Sequence, residues 1–413
     1  MITSDREWLT AKRLRAHGFL FALALWSVYI WTVATPGLRD RNGNLKGTDF
    51  LHFYTLGSLA IERRGADLYR MSAQAALAAA RVPEAAGIHY LPLYPPQVSL
   101  LFAPLAHLSY GWALALWWVI SGLIYGLCCL CIWRACPNLR NQRRTIAVLA
   151  IGFPAFFHLI AWGQTSALAL ACFTLTFLLL RRRREFLAGI ALGCLIFKPQ
   201  LGLAAAVVFL AIGAWKVIAG ALLSALGQLS IGVFYYGIAP MREWLRTLSN
   251  IGRLLPLLEP KPYQTHCLRT FWSMLVPWPG AAFAAYAISA IAVLGGVITL
   301  WRREFGVALN IRYSALLLGT VLISPHLTVY DLVILAPALL LLADWLVASV
   351  SPSKRTGSLL YLVYALPILG PIAWWTHVQL SVIAMAVLLW SIWQVAWVGR
   401  TSSPSGATES VTL

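Results

Sequence analysis

Acidic residues are scarce in this chain. It has 14 Asp and Glu among 413 residues, against 32 Lys and Arg, and charged residues make up only 11% of the total. A soluble domain carries about 25% charged residues, so this scarcity excludes an ordinary soluble fold. Hydrophobic residues reach 60%. The composition therefore indicates an all-α polytopic membrane protein, because helices satisfy their own backbone hydrogen bonds in lipid.

Several catalytic motifs are also missing. The chain has no Walker A loop, no Gly-x-Ser-x-Gly, no His-Glu-x-x-His, and no Asp-x-Asp pair near the candidate residues described below. These absences leave no basis for nucleotide hydrolysis, serine-hydrolase chemistry or a dedicated divalent-metal site. We therefore expect no bound cofactor and no metal. The seven cysteines lack metal-ligand spacing and are interpreted as small buried hydrophobic residues.

The net charge of +18 comes from basic residues that cluster beside apolar segments. This pattern is typical of cytoplasmic loops that face anionic lipid, so membrane lipids are the expected partner and nucleic acid is not. The apolar run that follows Arg13 and Arg15 is long for a signal peptide and has no clean cleavage site after it. We expect it to be a retained first helix.

Apolar runs recur along the whole chain, and a helix needs about 20 residues to span the hydrocarbon of a bilayer. We predict helices over 17–35, 95–108, 111–133, 145–162, 165–180, 186–197, 200–214, 217–238, 281–301, 307–323, 328–347, 357–373 and 378–398. Positive charges beside these runs place both termini in the cytoplasm, which requires an even number of crossings.

The run 95–108 is the best candidate for a segment that does not cross. It is short, begins with Pro95 and Pro96, and contains Pro104. We predict a re-entrant or interfacial helix there, together with about twelve transmembrane helices. The alternative is that 95–108 does cross and that the basic cluster 140–144 lies outside the cell.

The predicted organisation is a single transmembrane domain over 1–400, followed by a disordered tail over 401–413. The segment 36–94 is predicted to form an outward-facing catalytic loop with interfacial helices. Three short turns are predicted to face the same side, at Gly163-Gln164, Lys198-Pro199 and Ser324-Pro325-His326. The polar residues that need an explanation therefore gather on one side of the membrane.

Asp49 lies in the string GTDFLHFY, directly after the first predicted span. A carboxylate among aromatic residues at a membrane surface is costly to keep unless it has a use. Burial beside Phe50 and Phe53 would raise the pKa of Asp49, which is how a general base is poised near neutral pH. The alternative is structural, with Asp49 capping a helix that begins at Phe50.

Lys198 and His326 are the candidate phosphate ligands. Lys198 lies in IFKPQ between two short apolar runs, where an ammonium needs an anionic partner such as a phosphate or a carboxylate. His326 could offer a hydrogen bond or a positive charge to a phosphate, and Asp331 could pair with a basic residue. The alternatives are a lysine that snorkels to the headgroups and a histidine that caps a helix.

Gln164 and Tyr94 are candidate substrate contacts. The side-chain amide of Gln164 could read sugar hydroxyls, and the hydroxyl of Tyr94 could hydrogen-bond a ligand or a lipid headgroup. The alternatives are a plain turn residue after Gly163 and an interfacial tyrosine in the rigid Leu-Pro-Leu-Tyr-Pro-Pro turn.

The chain resembles glycosyltransferase family 87 and is similar to polyprenol-phosphate-mannose-dependent α-mannosyltransferases. Five strings carry the resemblance in order: DFLHFYTLGSLAIERRGADLY at 49–69, LYPPQVSLLFAPLAHL at 93–108, GQTSALAL at 163–170, AGIALGCLIFKPQ at 188–200 and SPHLTVYDL at 324–332. They cover about residues 20–350.

The resemblance implies a GT-C type fold and a polyprenyl-phosphate-sugar donor used on the outer side of a bacterial inner membrane. It implies that Asp49 is the general base and that Lys198 and His326 bind the donor phosphate. His52 and Tyr54, in the same motif as Asp49, are expected to contact substrate. The acceptor is expected to be an envelope lipid or glycan. Mannose is the expected sugar, with a pentose as an alternative.

Two other functions compete with this interpretation. A transporter or flippase of lipid-linked sugars would show repeats and polar residues near the bilayer midplane, whereas no internal repeat is visible and the polar residues lie at helix ends. An inactive scaffold would leave Asp49 facing bulk water with no cavity beside it.

Overall fold

The structure is a computed structural model that describes residues 9–259, 261–302, 306–349 and 354–401. The predicted disordered tail, apart from Thr401, lies outside these residues. The described residues are almost entirely helical, with two isolated β-bridges, Arg39 to Leu45 and Thr265 to Thr328, and no strands.

Twenty α-helices follow one another along the described chain. They are α1 (Ala11–Val33), α2 (Thr48–Ile61), α3 (Met71–Arg81), α4 (Gln97–Phe102), α5 (Tyr110–Arg134), α6 (Arg143–Ile151), α7 (Pro154–Trp162), α8 (Ser166–Arg181), α9 (Glu185–Gly193), α10 (Pro199–Ala211), α11 (Trp215–Tyr236), α12 (Ile238–Ser249), α13 (Ile251–Leu258), α14 (Leu268–Leu275), α15 (Pro279–Trp301), α16 (Leu309–Ile323), α17 (Ala336–Ala348), α18 (Lys354–Ala365), α19 (Ala373–Thr376) and α20 (Leu380–Thr401).

Short 3₁₀-helices connect several of these elements. They are Gly65–Asp67, Pro83–Ala85, Leu105–His107, Pro137–Gln142, Cys194–Phe197, Pro262–Gln264, Val329–Leu335 and Leu366–Ile372. All thirteen apolar runs predicted from the sequence are helical for most of their length.

The described residues contain six helices that are long and apolar enough to cross a membrane, or seven if one bent pair counts as a span. The bent pair is α6 with its preceding 3₁₀-helix, followed by α7, and its axis turns by 45°. The turn follows from Pro154, which cannot continue the hydrogen bonds of the preceding helix. Five further apolar helices have only 10–17 residues. The count of about twelve spans stays a prediction.

The run 95–108 forms only the six-residue helix α4 and one 3₁₀ turn. A helix of six residues is about 9 Å long, too short to cross the hydrocarbon. α4 instead packs closely on α2. Glycine at position 57 permits this approach, since a β-carbon there would lie 2.4 Å from the carbonyl oxygen of Phe102. This contact holds α2, the helix that carries Asp49, against the end of the short helix that follows the double proline.

The buried core centres on α16 and α17, whose inward residues include the fully buried Tyr313 and Leu317. By contrast, α1, α11 and α15 carry exposed large apolar side chains, and Phe234 on α11 is 89% exposed. Apolar surface of this extent in a chain with several candidate spans is what a lipid-facing helix presents.

Helices α9 and α11 approach each other through glycine. A β-carbon on Gly189 would lie 2.1 Å from the carbonyl oxygen of Val217, and one on Gly220 would lie 2.1 Å from that of Phe186. Small residues at such positions let two helix backbones come together, as they do in membrane helix pairs.

Gly189→Ala is expected to lower the free energy of unfolding by about 1–3 kcal/mol, because the new methyl group forces α9 and α11 apart. Chemical or thermal unfolding in detergent measures this change. Gly227→Ala on α11 is the matched control, since a β-carbon there meets nothing within 4 Å. The control should be neutral or slightly stabilising; equal losses in both variants would contradict the close approach.

Candidate functional site

Asp49 lies in the first turn of α2. That helix begins at Thr48, and its N-cap is Gly47 in the left-handed conformation, with φ of 62° and no side-chain cap. The hydroxyl of Tyr110 donates to the carbonyl oxygens of Lys46 and Gly47 and so fixes the backbone just before α2. The alternative in which Asp49 caps a helix starting at Phe50 is therefore wrong, and the carboxylate is left available for other partners.

The first partner of Asp49 is Gln164. Its side-chain nitrogen donates to Asp49 Oδ2 at 2.7 Å. The turn that carries Gln164 requires glycine at position 163, because φ is +68° and a β-carbon would lie 2.7 Å from Cβ of Phe50. Trp117 Nε1 donates to the carbonyl oxygen of Gly163 at 3.0 Å. The turn thus presses against the start of α2, which brings Gln164 to Asp49.

Lys198 is buried beside them, with its side chain only 5% exposed. Its ammonium donates to Asp331 Oδ1 at 2.8 Å, to Ser166 Oγ at 3.1 Å and to Gln164 Oε1 at 3.4 Å. All three donors of the ammonium are therefore engaged. The alternative of a lysine that snorkels to the headgroups is wrong, and the prediction that Asp331 pairs with a basic residue is confirmed.

Asp331 is fixed at the start of the 3₁₀-helix Val329–Leu335. Its Oδ2 accepts hydrogen bonds from the backbone N–H and the hydroxyl of Thr328 in a capping box. Its Oδ1 also accepts from the hydroxyl of Ser166 at 2.5 Å. Five side chains, Asp49, Gln164, Ser166, Lys198 and Asp331, thus form one connected network, which we call the polar network.

His326 belongs to a second, neighbouring cluster. Its Nδ1 lies 2.7 Å from Glu259 Oε1, and the other carboxylate oxygen pairs with Arg269 and accepts from the hydroxyl of Thr270 at 3.3 Å. We call Glu259, Arg269, Thr270 and His326 the anion cluster. Only one residue separates His326 from Thr328, which hydrogen-bonds Asp331 of the polar network. The anion cluster therefore adjoins the polar network.

Sequence reasoning did not single out Glu259 or Arg269. One signal was present, because acidic residues are rare in this chain and Glu259 is one of only two acidic residues in the stretch 239–280. Burial alone would raise the pKa of Glu259, but the hydrogen bond with His326 and the charge of Arg269 outweigh it and hold this pKa below its usual range.

Three other predicted residues lie around α2. His52 is buried between Tyr90 and Tyr94, with ring centroids 5.0 and 5.6 Å away, and neither ring nitrogen has a hydrogen-bond partner among the described residues. Tyr54 lies on another face of α2, where its hydroxyl donates to the carbonyl oxygen of Leu108 at 2.9 Å. Substrate contacts of these residues stay predictions.

An open groove of about 490 Å³ lies on that other face. Its lining includes Tyr54, Arg81, Tyr110 and Trp112, and it does not include Asp49 or any other member of the polar network. This groove therefore lies beside α2 and does not open onto the Asp49 carboxylate.

Burial raises the pKa of Asp49 to about 6. The hydrogen bond from Gln164 and the positive charge of Lys198 act in the opposite direction, and the negative charge of Asp331 adds to the increase. A carboxylate with this pKa is ionised at pH 7 yet basic enough to accept a proton, which suits a general base.

Gln164→Leu is expected to move the acid limb of the kcat/KM profile to higher pH, because it removes the hydrogen bond that favours the ionised form of Asp49. The wild-type limb should have its midpoint near pH 6, and kcat/KM at that pH should fall by about tenfold in the variant. Gln74→Leu is the control, since Gln74 is also buried but donates to the carbonyl oxygen of Leu68. An unmoved acid limb in the first variant would contradict the assignment.

Comparison with known proteins gives one family. The model of glycosyltransferase family 87 matches residues 93–325, which is more than half of the chain. Asp49, His326 and Asp331 lie outside the matched range. The other residues of the polar network and the anion cluster lie inside it: Gln164, Ser166, Lys198, Glu259, Arg269 and Thr270. No curated protein and no solved structure matches the chain.

Proposed function

This chain belongs to glycosyltransferase family 87, and from that membership we propose that it transfers a hexose from a polyprenyl-phosphate-sugar to an envelope lipid or glycan. Mannose is the proposed sugar. The fold we propose is of the GT-C type, in a bacterial inner membrane, with both termini cytoplasmic and the active site facing the periplasm.

One observation carries the proposal: Asp49 is hydrogen-bonded to a neutral side chain and forms no ion pair with the described residues. The side-chain amide of Gln164 donates a hydrogen bond to Oδ2 of Asp49. Oδ1 of Asp49 has no hydrogen-bond partner among the described residues. The nearby cation Lys198 is already paired with Asp331. Asp49 thus keeps a free oxygen and a pKa of about 6, as a base for a hydroxyl group requires.

The proposed reaction has one chemical step. Asp49 takes the proton of an acceptor hydroxyl, whose oxygen attacks the anomeric carbon from the face opposite the lipid phosphate. The bond between that carbon and the phosphate oxygen breaks, and the electron pair leaves with polyprenyl monophosphate. The configuration inverts, and the proton passes from Asp49 to solvent. His326 donates to the phosphate as its charge develops, whereas Lys198, whose three donors are engaged within the protein, acts on the phosphate only through its positive charge.

The remaining assignments are proposals on the same basis. Gln164, Tyr94, His52 and Tyr54 are proposed substrate contacts, and the polyprenyl-phosphate-sugar is the proposed co-substrate with no further cofactor or metal. Phosphate is already a good leaving group, so one base and nearby cations are sufficient for the transfer.

The test uses purified protein in liposomes with an envelope-lipid extract and polyprenyl phosphates that carry different labelled sugars. We expect one labelled sugar to appear in a new glycoside, with polyprenyl monophosphate released in equal amount. A labelled sugar that crosses the bilayer while still attached to polyprenyl phosphate, without any new glycoside, would contradict transfer and favour a flippase.

A further inference from the structure

The cation site at Lys198 and the anion cluster differ in how firmly each holds its counter-anion. Asp331, the partner of Lys198, is 2% exposed and also anchors the capping box with Thr328. It cannot leave without breaking the start of a buried helix. The ammonium of Lys198 therefore has no free donor and no readily exchangeable partner.

The anion cluster is built in the opposite way. Its donors sit on fixed elements: Arg269 and Thr270 lie in the first turn of α14, and Arg269 Nε donates to the carbonyl oxygen of Pro325. The backbone N–H of His266 donates to the carbonyl oxygen of Leu327 at 2.9 Å and ties α14 to the turn that carries His326.

The carboxylate of this cluster comes from a loosely packed element. Glu259 follows directly after α13, in which none of the side chains that the structure describes is buried and Leu257 is 66% exposed. Yet the Glu259 side chain itself is only 7% exposed. An acid at the end of a surface helix is thus inserted among three fixed donors.

The chemistry of these donors also suits a phosphate. A guanidinium, a histidine and a hydroxyl converge on two carboxylate oxygens, and phosphate oxygens accept the same fork of hydrogen bonds. The first turn of α14 adds positive dipole character that favours an anion. The carboxylate therefore occupies the place that a phosphate monoester could take.

Building on the proposed function, we infer that Glu259 is an intramolecular placeholder for the donor phosphate. In the resting enzyme its carboxylate occupies the site formed by Arg269, Thr270 and His326. Binding of the polyprenyl phosphate group displaces it together with the end of α13. Arg269 is then a phosphate ligand, and Glu259 a residue that opposes donor binding until it is displaced.

Direct binding of polyprenyl monophosphate to protein in neutral phosphatidylcholine nanodiscs tests this inference. Glu259→Gln is expected to bind this lipid about tenfold more tightly than wild type, because the competing anion is gone. Arg269→Gln is expected to bind it at least about thirtyfold more weakly. Glu243→Gln, on the exposed face of α12, is the matched control and should leave the affinity unchanged.

A weaker affinity in Glu259→Gln, similar to that of Arg269→Gln, would overturn the inference, since Glu259 would then merely hold the cations in place. Uncharged polyprenol and inorganic phosphate, tested in parallel, show whether the lipid or the phosphate is recognised. The proposed function fails separately, if the wild type itself does not bind polyprenyl monophosphate.

A second measurement uses the wild type alone and remains valid if Glu259→Gln does not fold. Hydrogen–deuterium exchange is recorded for 251–259 with and without polyprenyl monophosphate. Displacement predicts faster exchange in this segment when the lipid is bound. Slower or unchanged exchange upon binding would contradict the placeholder.

Discussion

Asp49→Asn is expected to lower kcat for sugar transfer by about 10²- to 10⁴-fold, the usual contribution of a general base. The amide has nearly the same shape but cannot take a proton from the acceptor hydroxyl. The KM for the donor should change little, because Asp49 is proposed to act on the acceptor. Steady-state transfer of a labelled sugar from the polyprenyl donor measures both constants.

Asp40→Asn is the matched control, since Asp40 lies in the same segment 36–94. Within the part of the chain that the structure describes, its carboxylate accepts hydrogen bonds only from the backbone N–H groups of Asn42 and Asn44, at 2.8 and 2.9 Å. An asparagine oxygen can accept the same bonds, so this control should retain wild-type kcat. Equal activity of Asp49→Asn and wild type would remove the base assignment.

The second large effect concerns the buried pair of Lys198 and Asp331. Lys198→Met or Asp331→Asn alone should lower the free energy of unfolding by about 3–5 kcal/mol, because each leaves one buried charge without its partner. The double variant removes both charges and should recover most of this loss, although it should not recover transfer. Unfolding curves in detergent for the two singles and the double form a complete cycle.

The exposed pair of Arg246 and Glu243 provides the comparison, since its side chains are 71% and 48% exposed. Glu243→Gln should change the free energy of unfolding by less than about 1 kcal/mol. Additive losses in the Lys198 and Asp331 double variant would show that the two charges do not stabilise each other.

The sequence was sufficient to identify much of the polar network. Gln164 and Lys198 stood out because each is a polar residue at a glycine or proline turn between apolar runs. Asp49 stood out because a carboxylate among aromatic residues at a membrane surface is costly to keep. Their mutual contacts could not be derived, since they depend on Gly163 allowing close approach to Phe50 and on the packing of helices far apart in sequence.

The anion cluster was beyond sequence reasoning for a different reason. The stretch 239–280 has no long apolar run, and Glu259 and Arg269 lie in it among other charged residues. What brings them to His326 is the pairing of Thr265 with Thr328, a contact across 63 positions that no local pattern indicates.

The prediction from the sequence also failed to separate the faces of α2. Tyr54 was predicted as a substrate contact because it shares a motif with Asp49. Five residues in a helix correspond to a rotation of about 140°, so the two side chains point to different faces. Proximity in sequence did not mean proximity in the site, whereas the helical period would have separated them.

The anomeric configuration of the product tests the single-base transfer most directly. The labelled glycoside formed from a polyprenyl-phosphate-sugar of known configuration is purified, and the coupling between its anomeric carbon and hydrogen is read by NMR. Direct attack assisted by Asp49 predicts a product of inverted configuration. A product of retained configuration would contradict it, because attack from the face opposite the lipid phosphate inverts the anomeric carbon.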